Sequence, residues 1–436
     1  MAQVVVVGGG LGGLASAARL AKLGHAVTLL ERTGAVGGAL RAESGHGYAW
    51  EVGGRTTLPA VLRDLFRKTG RPLEREVGDL EPLPVLARHR FGDGTVLDLP
   101  SGSRAAQRRA WDTLGDGLGD RWSTWVESFT DDWEAVRRGY AEVPWDRADR
   151  GPGTADLRRR LDARSSLRRR LREGLADERQ RRVTALGPVL DGHDLRDVPA
   201  WCGLDCYLEQ RTGLWRLPGG PGAIARALSA RLATRGVEVV TGLPARDLVL
   251  RGGRVAGVVS DGGEHDADVV VCAVDPRRLP ALAPYVARTE PVPPPAVSHL
   301  GLAGEVPDLP HQVVLHGDPL LVVRTGGSAP EGHHAWTVLA RGRPVEDVLT
   351  ALAHRGLDVR DRVVHRQDRS PDELVDQWGG SPLGVRWRGR RTVRRRLGPD
   401  TPVPGVHAAG AHATPGAGIP FAGLSAALVA QRVGPA

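Results

Sequence analysis

The run Gly8-Gly9-Gly10-Leu11-Gly12-Gly13 carries the spacing G-x-G-x-x-G, and its chemistry is the capture of a pyrophosphate without any cationic side chain. Gly8 permits a tight turn, Gly10 lets backbone approach the phosphates, and Gly13 lets the following helix pack closely on the preceding strand. Leu11 and Gly12 open that helix, whose free N–H groups and positive dipole end suit an anion. Glu31, at the end of the next apolar run, is placed to accept hydrogen bonds from the ribose hydroxyls of an adenosine. Arg32 and the pair Gly37-Gly38 then form a second loop of close approach. A plain NAD unit has no need of that second loop, so the cofactor expected is the longer, bent FAD.

These residues need a scaffold, and the surrounding sequence predicts one. Residues 3–7 read as a strand, residues 11–23 as an Ala/Leu-rich helix and residues 26–31 as a second strand, a βαβ unit. Between about 100 and 214 the texture turns to Trp, Arg, Asp and Glu at helical spacing, broken by Pro144 and a loop at Gly151-Pro152-Gly153. From Gly219 the α/β texture returns, with a helix over 223–235, a strand over 237–240 and β runs at 247–250 and 255–260 around a Gly252-Gly253 turn. The run 267–274 is apolar on both parities, as in a strand buried on both faces. The Pro-rich stretch 291–295 marks a boundary, after which residues 296–394 alternate short β runs, such as 312–315 and 320–323, with a helix over 345–355.

Composition narrows the function. A chain of 436 residues with 41% hydrophobic and 25% charged residues is a folded protein of two to three domains. The formal charge of +8 is almost all arginine, since Lys22 and Lys68 are the only lysines. With no recognition motif and acidic residues scattered throughout, no nucleic-acid partner is expected. Three cysteines, Cys202, Cys206 and Cys272, make no disulfide framework or CxxC pair, which suits a reducing cytoplasm. His311, His316, His333 and His334 lack a metal-ligand pattern with carboxylates, and no metal site is expected.

Taken together, these segments resemble the phytoene desaturase family of FAD-dependent carotenoid oxidoreductases, within the wider amine oxidase group. The likeness spans nearly the whole chain. It runs through the N-terminal glycine turn, Gly37-Gly38 and Glu51-Val52-Gly53, then Tyr207-Leu208-Glu209-Gln210 and Trp215-Arg216-Leu217-Pro218-Gly219-Gly220, then Val271-Cys272-Ala273-Val274-Asp275-Pro276. The most specific piece is the closing GVHAAGAHATPGAGIPFAGLSAA. There Gly416, Gly418, Ile419 and Pro420 would bring backbone to the flavin ring, ahead of a helix whose N-terminus favours negative charge. The resemblance also implies that Ala245 and Arg246 contact the adenine end and that Gly410 and Ala411 lie near the ribityl and pyrophosphate portion. Two positions depart from the family pattern. Ala39 and Leu40 stand between Gly38 and the arginine expected next, leaving Arg41 for that role, and Thr414 replaces a histidine, with His412 two positions earlier.

The implied fold is α/β: a Rossmann-type FAD-binding domain with an inserted mixed α+β substrate domain. Residues 1–70, 215–285 and 395–436 would form the discontinuous FAD domain, and 71–214 with 286–394 the substrate domain, helical at about 100–200. The implied reaction moves hydride from a lipophilic, isoprenoid or polyene substrate to flavin N5, with oxygen or a quinone as electron acceptor. An FAD-dependent amine or specialised-metabolite oxidase and a non-catalytic flavin-binding partner are the alternatives. Few Tyr and Phe favour an aliphatic tunnel over an aromatic cage. Glu209 and Arg216 are the polar groups nearest the rejoining stretch and the candidates for catalysis. Residues 154–176 read as one basic amphipathic helix, with Leu157, Leu161, Leu167, Leu171 and Leu175 against arginine runs. Its stripe either packs on the protein's own core or lies in the membrane interface, giving a cytoplasmic protein with or without peripheral contact to the membrane's inner face.

Overall fold

The structure, a computed structural model, describes all residues except 52, 54, 146–150, 162 and 344–346, and not the side chain of Pro152. Val52 and the first two residues of the helix expected over 345–355 therefore lie outside the described residues. The first element is β1 (Gln3–Val7), followed by α1 (Leu11–Lys22) and β2 (Ala26–Glu31). Three more strands complete a five-stranded parallel sheet: β3 (Glu238–Thr241), β4 (Val269–Cys272) and β5 (Val406–Ala408), in the spatial order β3-β2-β1-β4-β5. Val4 to Val7 alternate in direction, so Val4 and Val6 enter one core and Val5 and Val7 another.

Helices cover the first face. α1, the helix Pro221–Thr234 and the last helix, α2 (Ile419–Val433), bury Leu14, Ala18, Ile224, Leu228, Ala426 and Val429 against the sheet. The hairpin Ala245–Arg251 and Arg254–Ser260 covers the other face through Leu248, Val255 and Val258. Its turn residues Gly252 and Gly253 have φ of 59° and 76°, the left-handed pair a two-residue hairpin demands. β4 is buried at every position, Val269 to Cys272, because it is central in the sheet and covered on both sides.

A seven-stranded mixed sheet forms the second body. Its order is Val363–Arg369, Ala296–Ala303, His333–Arg341, Leu320–Arg324, Gln312–Leu315, Val85–Arg90 and Val96–Pro100. Strands on either side of the returning α/β segment thus share one sheet, joined by the parallel pairing of Val313 with Arg88. The helical stretch packs over its edge around Trp111, Trp122, Trp125 and Phe129.

The segment 154–176 differs from its sequence reading. It forms two helices, Pro152–Leu161 and Leu167–Gly174, so the loop expected at Gly151-Pro152-Gly153 is instead a helix start, with Pro in its first turn as geometry favours. Leu157, Leu161, Leu167, Leu171 and Leu175 are all buried in the helical core. Asp132 holds Arg160 and Arg170, each at 2.8 Å, and Arg169 pairs with Glu173 at 2.7 Å. The stripe faces protein, and much of the arginine charge is already paired. Among the described residues, no helix is long and apolar enough to cross a membrane.

Candidate functional site

Gly8 sits at φ 102°, and its N–H donates to Leu30 O at 2.8 Å, which turns the chain from β1 into α1. The turn is tied from below by Glu31. One carboxylate oxygen accepts from Gly9 N at 2.7 Å and the other from Thr33 N at 2.8 Å. Gly37 N donates to Gly9 O at 2.8 Å, bringing the second glycine loop against the first. Leu243 N donates to Glu31 O at 3.0 Å, which anchors the strand that begins at Ala245 beside the same turn.

The C-terminal segment closes the arrangement. Ala409 N donates to Cys272 O at 3.0 Å and Gly410 N to Ser425 Oγ at 3.1 Å. Gly12 then faces Gly410 so closely that a Cβ there would lie 2.6 Å from Gly410 Cα. α1 and α2 both begin at glycines, Gly10 and Gly418, with no capping side chain. The first-turn N–H groups of a helix have no intrahelical partner, so both starts offer donors and positive dipole ends to one space.

That space is one cavity of about 890 Å³. Gly8, Gly10, Leu11, Gly12, Glu31, Arg32, Gly37, Gly38, Ala245, Arg246, Gly410, Ala411, Gly418, Ile419 and Pro420 all line it. Three of the cofactor residues named from the sequence do not. Gly13 lies behind the wall, where a Cβ would be 1.9 Å from Gly8 O, so it sets helix-to-strand packing. Arg41 reaches away to donate to Gln377 O at 2.7 Å. Gly416 sits against Arg396, with a Cβ position 3.1 Å from its Nη1. The candidate Arg216 is also outside the wall; it pairs with Glu81 on a small sheet where Trp215–Arg216 joins Arg55–Thr56 and Glu81–Pro82. Its neighbour in register is Arg55, which does line the cavity.

The same cavity includes a chamber walled by Leu86, Leu99, Leu186, Leu190, Leu208 and Leu339. Into this apolar wall are set Arg55, Asp191, Asp205, Glu209, Gln312 and Arg324. Burial pushes the Glu209 carboxyl up to about 7 against the opposing pull of Arg55. Burial, with the charges of Glu209 and Asp191, lifts Asp205 to about 7, and burial raises Asp191 to about 6 despite Arg341 and Arg324. The same desolvation lowers Arg55 to about 10 and Arg324 to about 9. His412 is held neutral by burial, at about 4. Of the chamber's charged groups only Glu209 was named as a candidate from the sequence. The pair Asp205 and Glu209 falls at i and i+4 on the helix Leu204–Thr212, a like-charge spacing that costs a helix stability and was the available signal.

The site defines a class: an α/β flavin-binding oxidoreductase, here with one cavity walled by glycine turns from the two ends of the chain. The description "Flavin containing amine oxidoreductase" matches residues 11–312, and the chain belongs to that family. It is an FAD-dependent enzyme. Hydroxyneurosporene desaturase of Cereibacter sphaeroides is 28% identical over 99% of this chain and 97% of that protein. The zeta-carotene-forming phytoene desaturase of Myxococcus xanthus is likewise 28% identical, over 99% of this chain and 93% of its own. Among solved structures, a putrescine oxidase variant superposes with a TM-score of 0.69 at 17% identity, covering 99% and 97% of the two chains. The CLA-producing fatty acid isomerase from P. acnes gives 0.64 at 16% identity, covering 99% and 98%. The cradle fits FAD on its own terms, since a Cβ at Gly10 would meet no protein atom within 4 Å and would project into open space.

Proposed function

We propose that this chain is a desaturase-type oxidoreductase acting on a lipophilic isoprenoid or polyene. The observation that carries the reading is the continuity of the cavity: one space runs from two uncapped helix starts into a leucine-walled chamber. The glycine turns, Glu31, Ala245, Arg246, Gly410, Ala411, Gly418, Ile419 and Pro420, which line this space, would hold FAD, which when bound would supply a hydride acceptor at flavin N5. The chain's own part is alignment and exclusion of water, for which an aliphatic wall is suited. Names of the curated relatives, desaturases of carotenoids, support the substrate class.

Glu209 is the wall group suited to take up a proton. Its carboxyl titrates near neutrality, at about 7, so it can accept the proton that must leave the carbon beside the hydride donor. The direct test is spectroscopic. The purified protein is expected to show flavin absorbance and to be bleached anaerobically by lipophilic polyenes, while soluble amines leave it oxidised. Glu209→Gln is expected to slow bleaching ~10²-fold or more with FAD retained. Reduction by amines alone, or by no compound of either class, would overturn the reading. Reoxidation by oxygen against a quinone then identifies the acceptor.

A further inference from the structure

The helix Pro371–Trp378 follows the outermost strand of the seven-stranded sheet, yet its end is held by residues that flank Gly37-Gly38. Arg32 Nη2 donates to Asp376 O at 2.7 Å and Arg41 Nη2 to Gln377 O at 2.7 Å. The last carbonyls of a helix have no intrahelical partner and carry its negative dipole end, so two guanidinium groups make a charge-assisted cap there. Glu43 joins them, accepting from Gln377 Nε2 at 2.5 Å and from Arg369 Nη2 at 2.6 Å. The chain then turns at Gly379, φ 78°, and residues 379–383 line the same cavity as the glycine turns. One end of this strap lies by the second glycine loop, where a Cβ at Gly38 would be 3.7 Å from Trp378 O. The other lies on the C-terminal segment, where a Cβ at Gly384 would be 2.1 Å from Ala411 O. The strap thus reaches from one half of the cradle to the other.

The strap's amides are unevenly satisfied. Gly379 N donates to Asp376 O at 3.4 Å and Leu383 N to Ser381 Oγ at 3.2 Å, while Pro382 has no N–H. Among the described residues, the N–H groups of Gly380 and Ser381 meet no acceptor. Ser381 is only 7% exposed, and buried backbone donors without a partner are rare. Its hydroxyl is engaged elsewhere, donating to Val292 O. A Cβ at Gly380 would meet no protein atom within 4 Å, so open space lies beside these two amides. We propose that Gly380 and Ser381 donate their backbone N–H groups to the pyrophosphate of the bound dinucleotide, and that Arg32 and Arg41 are positioning residues that set the strap for it. Two successive free amides suit a phosphate oxygen, which accepts from backbone N–H groups without needing a cation. The place in the cavity agrees: the strap abuts Gly38, which itself faces Gly10, a Cβ there being 3.3 Å from Gly10 Cα, and Gly10 is where backbone approaches the phosphates. The inference concerns the cofactor alone and is independent of which substrate is oxidised.

Hydrogen–deuterium exchange of the peptide spanning 379–383 tests this on the full chain, as holoenzyme and after removal of flavin. FAD is expected to slow exchange there ~10-fold or more, as for amides bonded to a charged group. ADP, added at a concentration that competes with FAD, should protect the same peptide, because it carries the phosphates without the flavin. A second arm reads the latch. Arg41 does not line the cavity, yet Arg41→Ala is expected to release FAD ~10-fold faster, followed by the rise in free-flavin fluorescence, with the melting temperature of the flavin-free protein unchanged. Arg41→Lys, which can still donate to Gln377 O, should recover part of the retention. FAD bound without protection of 379–383, protection by FAD but none by competing ADP, or release from Arg41→Ala at the unaltered rate overturns the proposal. Should Arg41→Ala fail to fold, the exchange comparison on the unaltered chain decides. A flavin-free protein that takes up no FAD would remove the cofactor assignment and this inference with it.

Discussion

Gly10, Gly12 and Gly13 stand within one helical turn, yet a methyl group added to each would meet something different. At Gly10 it meets no protein atom, at Gly12 it strikes Gly410, and at Gly13 it strikes Gly8 O. Gly10→Val is therefore expected to yield a folded protein without flavin absorbance, its circular dichroism unchanged. Gly13→Ala is expected to lower stability to denaturant by at least ~1–3 kcal/mol, as overpacking does. The carboxylates of the chamber give a second expectation with a definite sign. Asp205 and Glu209 are raised to about 7 and Asp191 to about 6, so the folded state binds more protons than the unfolded one from about pH 4 up to 7. Their contribution to stability is complete below that window and is lost as pH rises through it. Asp205→Asn should thus raise the melting temperature at pH 8 and lose that advantage at pH 4. The glycines were legible in sequence because spacing alone states their geometry. The chamber's charges were not, because Arg55, Asp191, Asp205 and Arg324 come from four separate segments that only the fold brings together.

The βαβ start, the hairpin at Gly252-Gly253 and the buried strand Val269–Cys272 could be read in advance because each follows from local pattern: a period of two, a left-handed turn pair, an apolar run. The segment 154–176 shows where pattern stops. Its leucines recur at helical spacing, but spacing does not say what lies opposite, and here Trp125, Phe129 and Asp132 lie opposite. Arg170 stacks 3.8 Å from the Phe129 ring centroid while donating to Asp132, so even a nominally basic face is turned inward. Leu171, 3% exposed, is therefore a core residue. Leu171→Ala should cost ~2–5 kcal/mol in chemical denaturation, whereas a leucine lying in lipid would leave the soluble protein's stability unchanged.

The flavin sheet is assembled from residues far apart in the chain, with Val4 paired to Val269 and Val270 to Val406. Neither glycine-rich segment makes the cradle alone, and Gly12 against Gly410 is the point where they meet. A chain truncated before Val406 is expected to be flavin-free by absorbance and to aggregate, since it bares the edge of β4. Reintroducing residues 406–436 as a separate peptide should restore part of the yellow colour if the contact is as the sheet order describes.

The same pairing has a bearing on how the protein is made. A ribosome that has released β1 must synthesise more than half of the chain before the strand that lies beside it, β4, emerges, and β5 comes later still. Until then the newborn polypeptide carries an apolar ribbon with no neighbour on that side. Slow closure of such distant contacts leaves it open to misassociation. Chaperone demand and cofactor supply at the moment of release, more than codon usage near the start, should therefore govern how much active enzyme a cell accumulates.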